Sequence, residues 1–235
     1  MGFADLHIHT IYSYDGTASV TAVLKRAKQI GLDVIAITDH DEINGSLKAL
    51  DLAPQFGVEV IPGLEVTTAE GDLLALNITE KIQPGRSLIE TVLQVADLGG
   101  FCIAPHLMAG GLGMKSLSAY SIIKALRDRD VARTLLGIEA YNATTLDKMS
   151  NRYAHVLGER LNIAKLGNSD AHILQTIGMG MTEFAGHTAK DLLKAIHTGD
   201  LTIHKKKEWN SVRIIGSWAA NYVASSLARL ANPTY

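Results

Sequence analysis

At 235 residues, 47% apolar and 20% charged, the chain has the make-up of a water-soluble globular protein that can bury a large core. Its net charge of −2 supplies no general field toward nucleic acid or an anionic membrane, although bound divalent ions would bring local positive charge to a nucleotide substrate. No signal-peptide pattern and no apolar run of about 18 residues occurs, so a cytoplasmic location without membrane insertion is expected.

In chain order, short apolar runs alternate with helical spacing. Phe3 to Ile8 reads as a buried strand carrying Asp5-Leu6-His7-Ile8-His9, and strand residues i and i+2 share a face, so His7 and His9 project together. A polar loop, Tyr12 to Gly16, precedes a helix marked by Val20, Val23, Leu24, Ala27 and Ile30, with Gly31 as its stop. Asp33 to Thr38 is apolar enough for a buried parallel strand. Further strands are expected over Val58–Ile61, Leu73–Ile78, Phe101–Ala104, Leu135–Ala140 and Ile163–Leu166. Helices are expected over Ser46–Gln55, Ser87–Leu98, Leu117–Arg129, Thr145–Leu161 and Thr188–His197. The lone cysteine, Cys102, lies in an apolar run and reads as a packing thiol.

Seven strands with intervening helices imply parallel strands and right-handed crossovers. Candidate ligands follow several different strands, and a barrel gathers such exits on one rim whereas an open sheet does not. The expected fold class is therefore α/β, a distorted (β/α)7 TIM-like barrel over residues 1–204. Residues 205–235 form a basic and amphipathic helical tail. Lys205-Lys206-Lys207 leads into Trp209 and Val212–Leu230, with Ile215, Trp218, Ala219, Tyr222, Val223, Ser226 and Leu227 along one face. This helix is expected to pack on the barrel or on a second copy of the chain.

Five of the nine histidines (His7, His9, His40, His106 and His172) fall at strand exits beside Asp15, Asp39, Glu65 and Asp170. Singly each has a plainer role: Asp15-Gly16 as a turn, Asp39 as a cap, His106 as a core histidine. Their recurrence at strand ends carries the reading. Imidazoles with carboxylates and no thiolate suit zinc, manganese or iron, and the number of ligands calls for two or three ions. His155, His187, His197 and His204 read as surface residues.

Asp5-Leu6-His7-Ile8-His9-Thr10, Asp15-Gly16, Ile37-Thr38-Asp39-His40, Pro62-Gly63-Leu64-Glu65, Pro105-His106 and Ser169-Asp170-Ala171-His172 resemble the motifs of the polymerase and histidinol phosphatase (PHP) family of metal-dependent phosphoesterases. They occur in the family's order, with Ile177-Gly178 after them. The resemblance implies that His7, His9, Glu65 and Asp170 hold a first metal, and Glu65 and His106 a second. It gives Asp15, His40 and His172 a third metal, or a role on the substrate where two ions bind. Asp72 stands where many small members carry a histidine; it is either a ligand or a turn residue. Leu107 stands where a proline often follows the histidine.

The function so implied is hydrolysis of a phosphate ester of a small metabolite, nucleotide or short oligonucleotide through a metal-activated hydroxide. His172 or His40 is the expected acid for the departing oxygen. Lys115, after the glycine-rich stretch Ala109 to Met114, is a candidate phosphate contact, against a plainer reading as part of a barrel loop. Competing readings are an amidohydrolase-type C–N hydrolase, which also uses H-x-H on a first strand, and a non-catalytic metal-binding scaffold.

Overall fold

The computed structural model describes residues 1–109, 115–145, 148–206 and 211–231. Among the described residues ten strands fall into two sheets. One contains β1 (Gly2–Asp5), β2 (Val34–Ile35), β3 (Glu59–Val60), β9 (Gly180–Phe184) and β10 (Leu201–Lys205) in the order β10-β9-β1-β2-β3. The other runs β4 (Gly63–Thr67), β5 (Asp72–Leu76), β6 (Phe101–Ala104), β7 (Leu135–Asn142) and β8 (Ala164–Asn168) in chain order.

Two parallel bridges join the sheets beyond the strands proper. Ile8 pairs with Ala171, past the ends of β1 and β8, and His40 pairs with Glu65, linking the exit of β2 to β4. Through these bridges β1, β2 and β4 to β8 follow one another in a ring of seven. Both closures lie at the exits where the ligand motifs sit. A hydrophobic cluster drawing Ala4, Leu6 and Val34 from one sheet and Leu74, Ile103 and Leu166 from the other gives the sheets a shared core.

The helices have local causes. In α1 (Val20–Ile30) Ser19 caps the first turn, and Gly31 at φ 77° ends it. Capping boxes start α3 (Leu88–Asp97; Ser87 with Glu90) and α7 (Ala189–Thr198; Thr188 with Asp191). The remaining helices are α2 (Asn44–Leu52), α4 (Ala119–Ala125), α5 (Arg129–Thr134), α6 (Lys148–Leu161) and α8 (Ser211–Ala231).

Three expectations change. The strands are not all parallel: β4-β5-β6 is an antiparallel meander, β9 pairs antiparallel with β1, and β10 pairs antiparallel with β9. The helix expected over Leu117–Arg129 is two helices, because Asp128 takes the amides of Asp130 and Val131 and restarts the chain as α5. Lys205 is the last residue of β10, where it pairs with Gly180. Along α8 the expected apolar face is split. Trp218, Tyr222 and Ser226 are half-buried, while Ala219, Val223 and Leu227 stay in solvent. Ile215's side chain, Lys207 and Trp209 lie outside the described residues. Among the described residues no helix is long and apolar enough to cross a membrane. Cys102 is buried, and that burial pushes its thiol pKa up, as a packing thiol requires.

Candidate metal centre

The bridge between Ile8 and Ala171 explains how two i, i+2 pairs meet. Both bridged residues turn into one apolar cluster, so His7, His9, Asp170 and His172 on either side of them turn the opposite way. The bridge is held by His9 N–H donating to Ala171 C=O and Ala171 N–H donating to His7 C=O. Glu65 arrives from the middle of β4, a strand that the sequence pattern did not reveal, and the peptides of Asp39, Asp41 and Glu65 lock it beside His40.

Buried carboxylates hold the loops that bring in the rest. Asp39 accepts from the Thr10 amide at 2.6 Å and the Thr10 hydroxyl at 2.7 Å, fixing the turn that carries Asp15. Gly16 is obligatory there, because a Cβ would lie 2.0 Å from the Thr10 carbonyl oxygen. Asp5 accepts from the amides of Ser169 and Gly178, one on each oxygen, and so anchors the Asp170–His172 segment. Burial outweighs these bonds and raises the carboxyls of Asp5 and Asp39 to about 6. Asp170 and His106 have φ of 52° and 28°, a left-handed backbone that costs non-glycine residues about 1–3 kcal/mol and is kept where the surrounding contacts demand it.

The result is one continuous cluster. Ligand atoms within 4.8 Å of one another form three overlapping groups: His7, Glu65 and His106; His7, His9 and Asp170; and His9, Asp15, His40 and His172. Glu65 Oε2 lies 3.3 Å from His7 Nε2, 3.4 Å from His9 Nε2 and 3.1 Å from His40 Nδ1, while Oε1 lies 2.9 Å from His106 Nε2. His40 and His172 both face Asp15 Oδ2, at 3.4 and 3.1 Å. His9 Nε2 is buried without a hydrogen-bond partner, although Asp170 Oδ1 is 3.3 Å away and Glu65 Oε2 3.4 Å away. A buried nitrogen without a hydrogen-bond partner beside two carboxylate oxygens fits a divalent cation.

Charge follows from this crowding. Burial disfavours the His7 imidazolium, but Asp170, Glu139 and Glu65 outweigh it and hold His7 well above its ordinary range. Burial likewise opposes a charged His40, and the carboxylates led by Glu65 and Asp15 push it up to about 9. Burial, with His172 and His40 alongside, lowers His9 to about 4. Against burial, the surrounding imidazoles keep Glu65 and Asp170 well below the usual carboxylate range.

The structure gathers all eight motif residues. Among the described residues Asp72 joins none of the three groups. Its Oδ2 accepts from the Lys115 amide at 3.2 Å, and its buried Oδ1 has no hydrogen-bond partner. Burial and the Glu65 charge raise its carboxyl to about 6. The Lys115 side chain is exposed, and Gly110–Met114 lie outside the described residues. Glu139 was missed. It is fully buried on β7 and bonds His7 Nδ1 at 2.8 Å. Its only signal was one acid inside the otherwise apolar run Leu135–Ala140. At the more open side Tyr14 stacks on His40, with ring centroids 5.0 Å apart, and the Trp218 indole N–H donates to the Asp15 carbonyl at 3.1 Å.

Imidazoles and carboxylates converging at the exits of a strand ring place the chain in the class of metal-dependent hydrolases. Residues 5–213 match the PHP domain, and the chain belongs to that family, whose members are phosphoesterases. An uncharacterized protein of Methanocaldococcus jannaschii is 39% identical over 162 residues, covering 64% of this chain and 88% of the archaeal protein. A 5′-3′ exoribonuclease of Haemophilus influenzae is 28% identical over 198 residues, covering 83% of this chain but 63% of the exoribonuclease. A two-domain protein of Bacteroides vulgatus that contains a PHP-like metal-dependent phosphoesterase superposes with a TM-score of 0.71 at 18% identity. That superposition covers 86% of this chain and 64% of the other, a likeness of fold.

Proposed function

We propose that the chain releases phosphate from an ester of a small metabolite, a nucleotide or a short oligonucleotide, using two or three divalent ions on the strand-exit rim. The observation that carries this reading is the chain of three ligand groups linked through His7 and His9, with His9 Nε2 buried beside Asp170 and Glu65 and without a hydrogen-bond partner. His7, His9, Glu65 and Asp170 would hold the first ion, Glu65 and His106 the second, and Asp15, His40 and His172 the third. Manganese, zinc and iron all suit such a set. Bound there, the ions supply the charge that neutralises phosphate oxygens and draws down the pKa of a water molecule.

The chain's own contribution is orientation and proton transfer. The inner carboxylates and imidazoles are buried, which strengthens every electrostatic contact with a bound phosphate. His172 and His40 lie on the open side, and where two ions bind each can hold a proton at Nε2 for the departing oxygen. Similarity to the exoribonuclease across 83% of this chain favours a phosphate carried by a nucleotide or short oligonucleotide. The buried free thiol of Cys102 suits a reducing cytoplasm, and the solvent-facing Val223 and Leu227 of α8 offer a surface to a second copy.

The test is phosphate release by the manganese- or zinc-loaded protein from a panel of phosphomonoesters, nucleoside monophosphates and 5′-phosphorylated short oligonucleotides. Metal-dependent release that disappears in the His7→Ala/His9→Ala variant is expected. Bound metal with no release from any member overturns the reading and returns the C–N hydrolase and scaffold alternatives.

A further inference from the structure

Glu139 accepts two hydrogen bonds on each carboxylate oxygen, and its partners come from four strand exits. Oε1 faces His7 Nδ1 at 2.8 Å and Asn168 Nδ2 at 2.8 Å; Oε2 faces the His106 backbone amide at 2.9 Å and Asn142 Nδ2 at 3.0 Å. Three of these partners are donors by independent evidence. The His106 group is a main-chain N–H. Asn168 Oδ1 is already taken by the Leu6 amide, so its NH2 must face Glu139. Asn142 Oδ1 is taken by the amides of Thr144 and Thr145, which turns its NH2 to Glu139 and, at 3.2 Å, to Asp170 Oδ2.

A carboxylate that accepts on both oxygens leaves His7 one role at Nδ1, that of donor. We infer that Glu139 is a positioning residue which keeps a ring proton of His7 on Nδ1, so that Nε2 is the nitrogen that gives up its proton to a cation between Glu65 and Asp170, and which aims His106 through its backbone amide. His7 Nε2 faces both carboxylates, at 3.3 Å from Glu65 Oε2 and 3.4 Å from Asp170 Oδ1. One buried side chain thus sets the donor atom of one candidate ligand and the backbone of another, while Asn142 extends the same network to a third. The inference rests on the ligand set given under the proposed function.

Glu139→Gln tests it, because glutamine keeps the shape but replaces one acceptor oxygen with a donor. With its NH2 toward His7, the ring must accept at Nδ1, and a neutral ring then carries its proton on Nε2, where a cation would bind. With its NH2 toward His106, it opposes a fixed main-chain N–H and the Asn142 NH2. Calorimetric titration of the ion-free full chain with zinc is expected to show binding weakened about 10–100-fold in the variant. Nitrogen-15 shifts of His7 in the zinc-loaded proteins should report a change in which ring nitrogen keeps the proton. Equal zinc affinity, ion count and His7 shifts in the two proteins overturn the role of Glu139. A wild-type chain that takes up no zinc overturns the ligand set, and the inference with it. If the variant does not fold, the wild-type chain loaded with cadmium-113 decides: coupling to His7 Nε2 is expected, and coupling to Nδ1 overturns the inference.

Discussion

The inner and outer halves of the rim are built differently. His7, Glu65, His106 and Asp170 are 0–4% exposed and sit on strands or at their exits, backed by the Glu139 network. The side chains of Asp15, His40 and His172 are 15–18% exposed, rise from loops, and are flanked by Tyr14 and Trp218. A ligand packed among strands cannot adjust without breaking the core, whereas a loop ligand open to water can bind and release. On the proposed ligand set, the inner half would form the permanent metal floor, and the outer half would take the substrate and the most exchangeable ion.

The largest effect should come from the residue common to both halves. Glu65 faces His7, His9 and His106 on one side and His40 on the other. Glu65→Gln removes the charge from every one of those contacts and turns one of the two acceptor oxygens into a donor. Phosphate release should fall to the rate of buffer alone, and elemental analysis should find the tightly held ions gone. Retention of the full ion count would break the division into floor and mouth, because Glu65 would then be dispensable to the floor.

How much of this was legible in the sequence follows the same division. The i, i+2 pairs announce themselves because strand alternation is strictly local, so His7 with His9 and Asp170 with His172 could be paired without a structure. The barrel was also legible, since ligands after many strands need a common rim. The hairpin strand β4 was not: Gly63–Thr67 is short, and its partner β5 is set by antiparallel tertiary pairing rather than by periodicity. Strands β9 and β10 were hidden likewise, with Thr182, Glu183, Thr202 and His204 interrupting the apolar pattern. Glu139 escaped because a single acid does not disturb the reading of an apolar run, and three of its four donors come from distant parts of the chain.

A smaller loss is expected in the outer half. His172 donates from Nε2 to Asp15 and leans on the Asp170 carbonyl through Nδ1. Removing a general acid costs about 10²–10⁴-fold in rate, so His172→Asn should lose activity within that range. Inner ions should remain, with at most one ion lost per chain. Disappearance of every ion would show that the two halves bind as one unit.

Protons should compete with ions in a defined direction. In the ion-free chain neighbouring carboxylates, opposing burial, favour a proton on His7 and on His40, pushed up to about 9, whereas burial and nearby imidazoles lower His9 to about 4. A coordinating imidazole must be neutral, so ion uptake expels those protons. Apparent affinity should therefore rise with pH through neutrality toward about 9, by about tenfold per pH unit for each proton released. Titration calorimetry in two buffers of different ionisation enthalpy counts the protons. Uptake without proton release would mean that the carboxylates do not dominate the charge of these imidazoles.

The smallest effect tests whether α8 belongs to the mouth. Trp218 donates its indole N–H to the carbonyl of Asp15 and stacks on Tyr222 with ring centroids 5.1 Å apart. Trp218→Phe keeps an aromatic ring for that stack and deletes the one donor. A hydrogen bond of this kind contributes about 0.5–1.5 kcal/mol net, so loosening the Asp15 turn should weaken outer-ion binding by about two- to tenfold. The inner half has no bond to Trp218 among the described residues, and its ion affinity should stay the same. A variant that weakens both halves equally would tie the floor to the helix and erase the distinction. One that weakens neither would make α8 a bystander whose contact with Asp15 carries no energy.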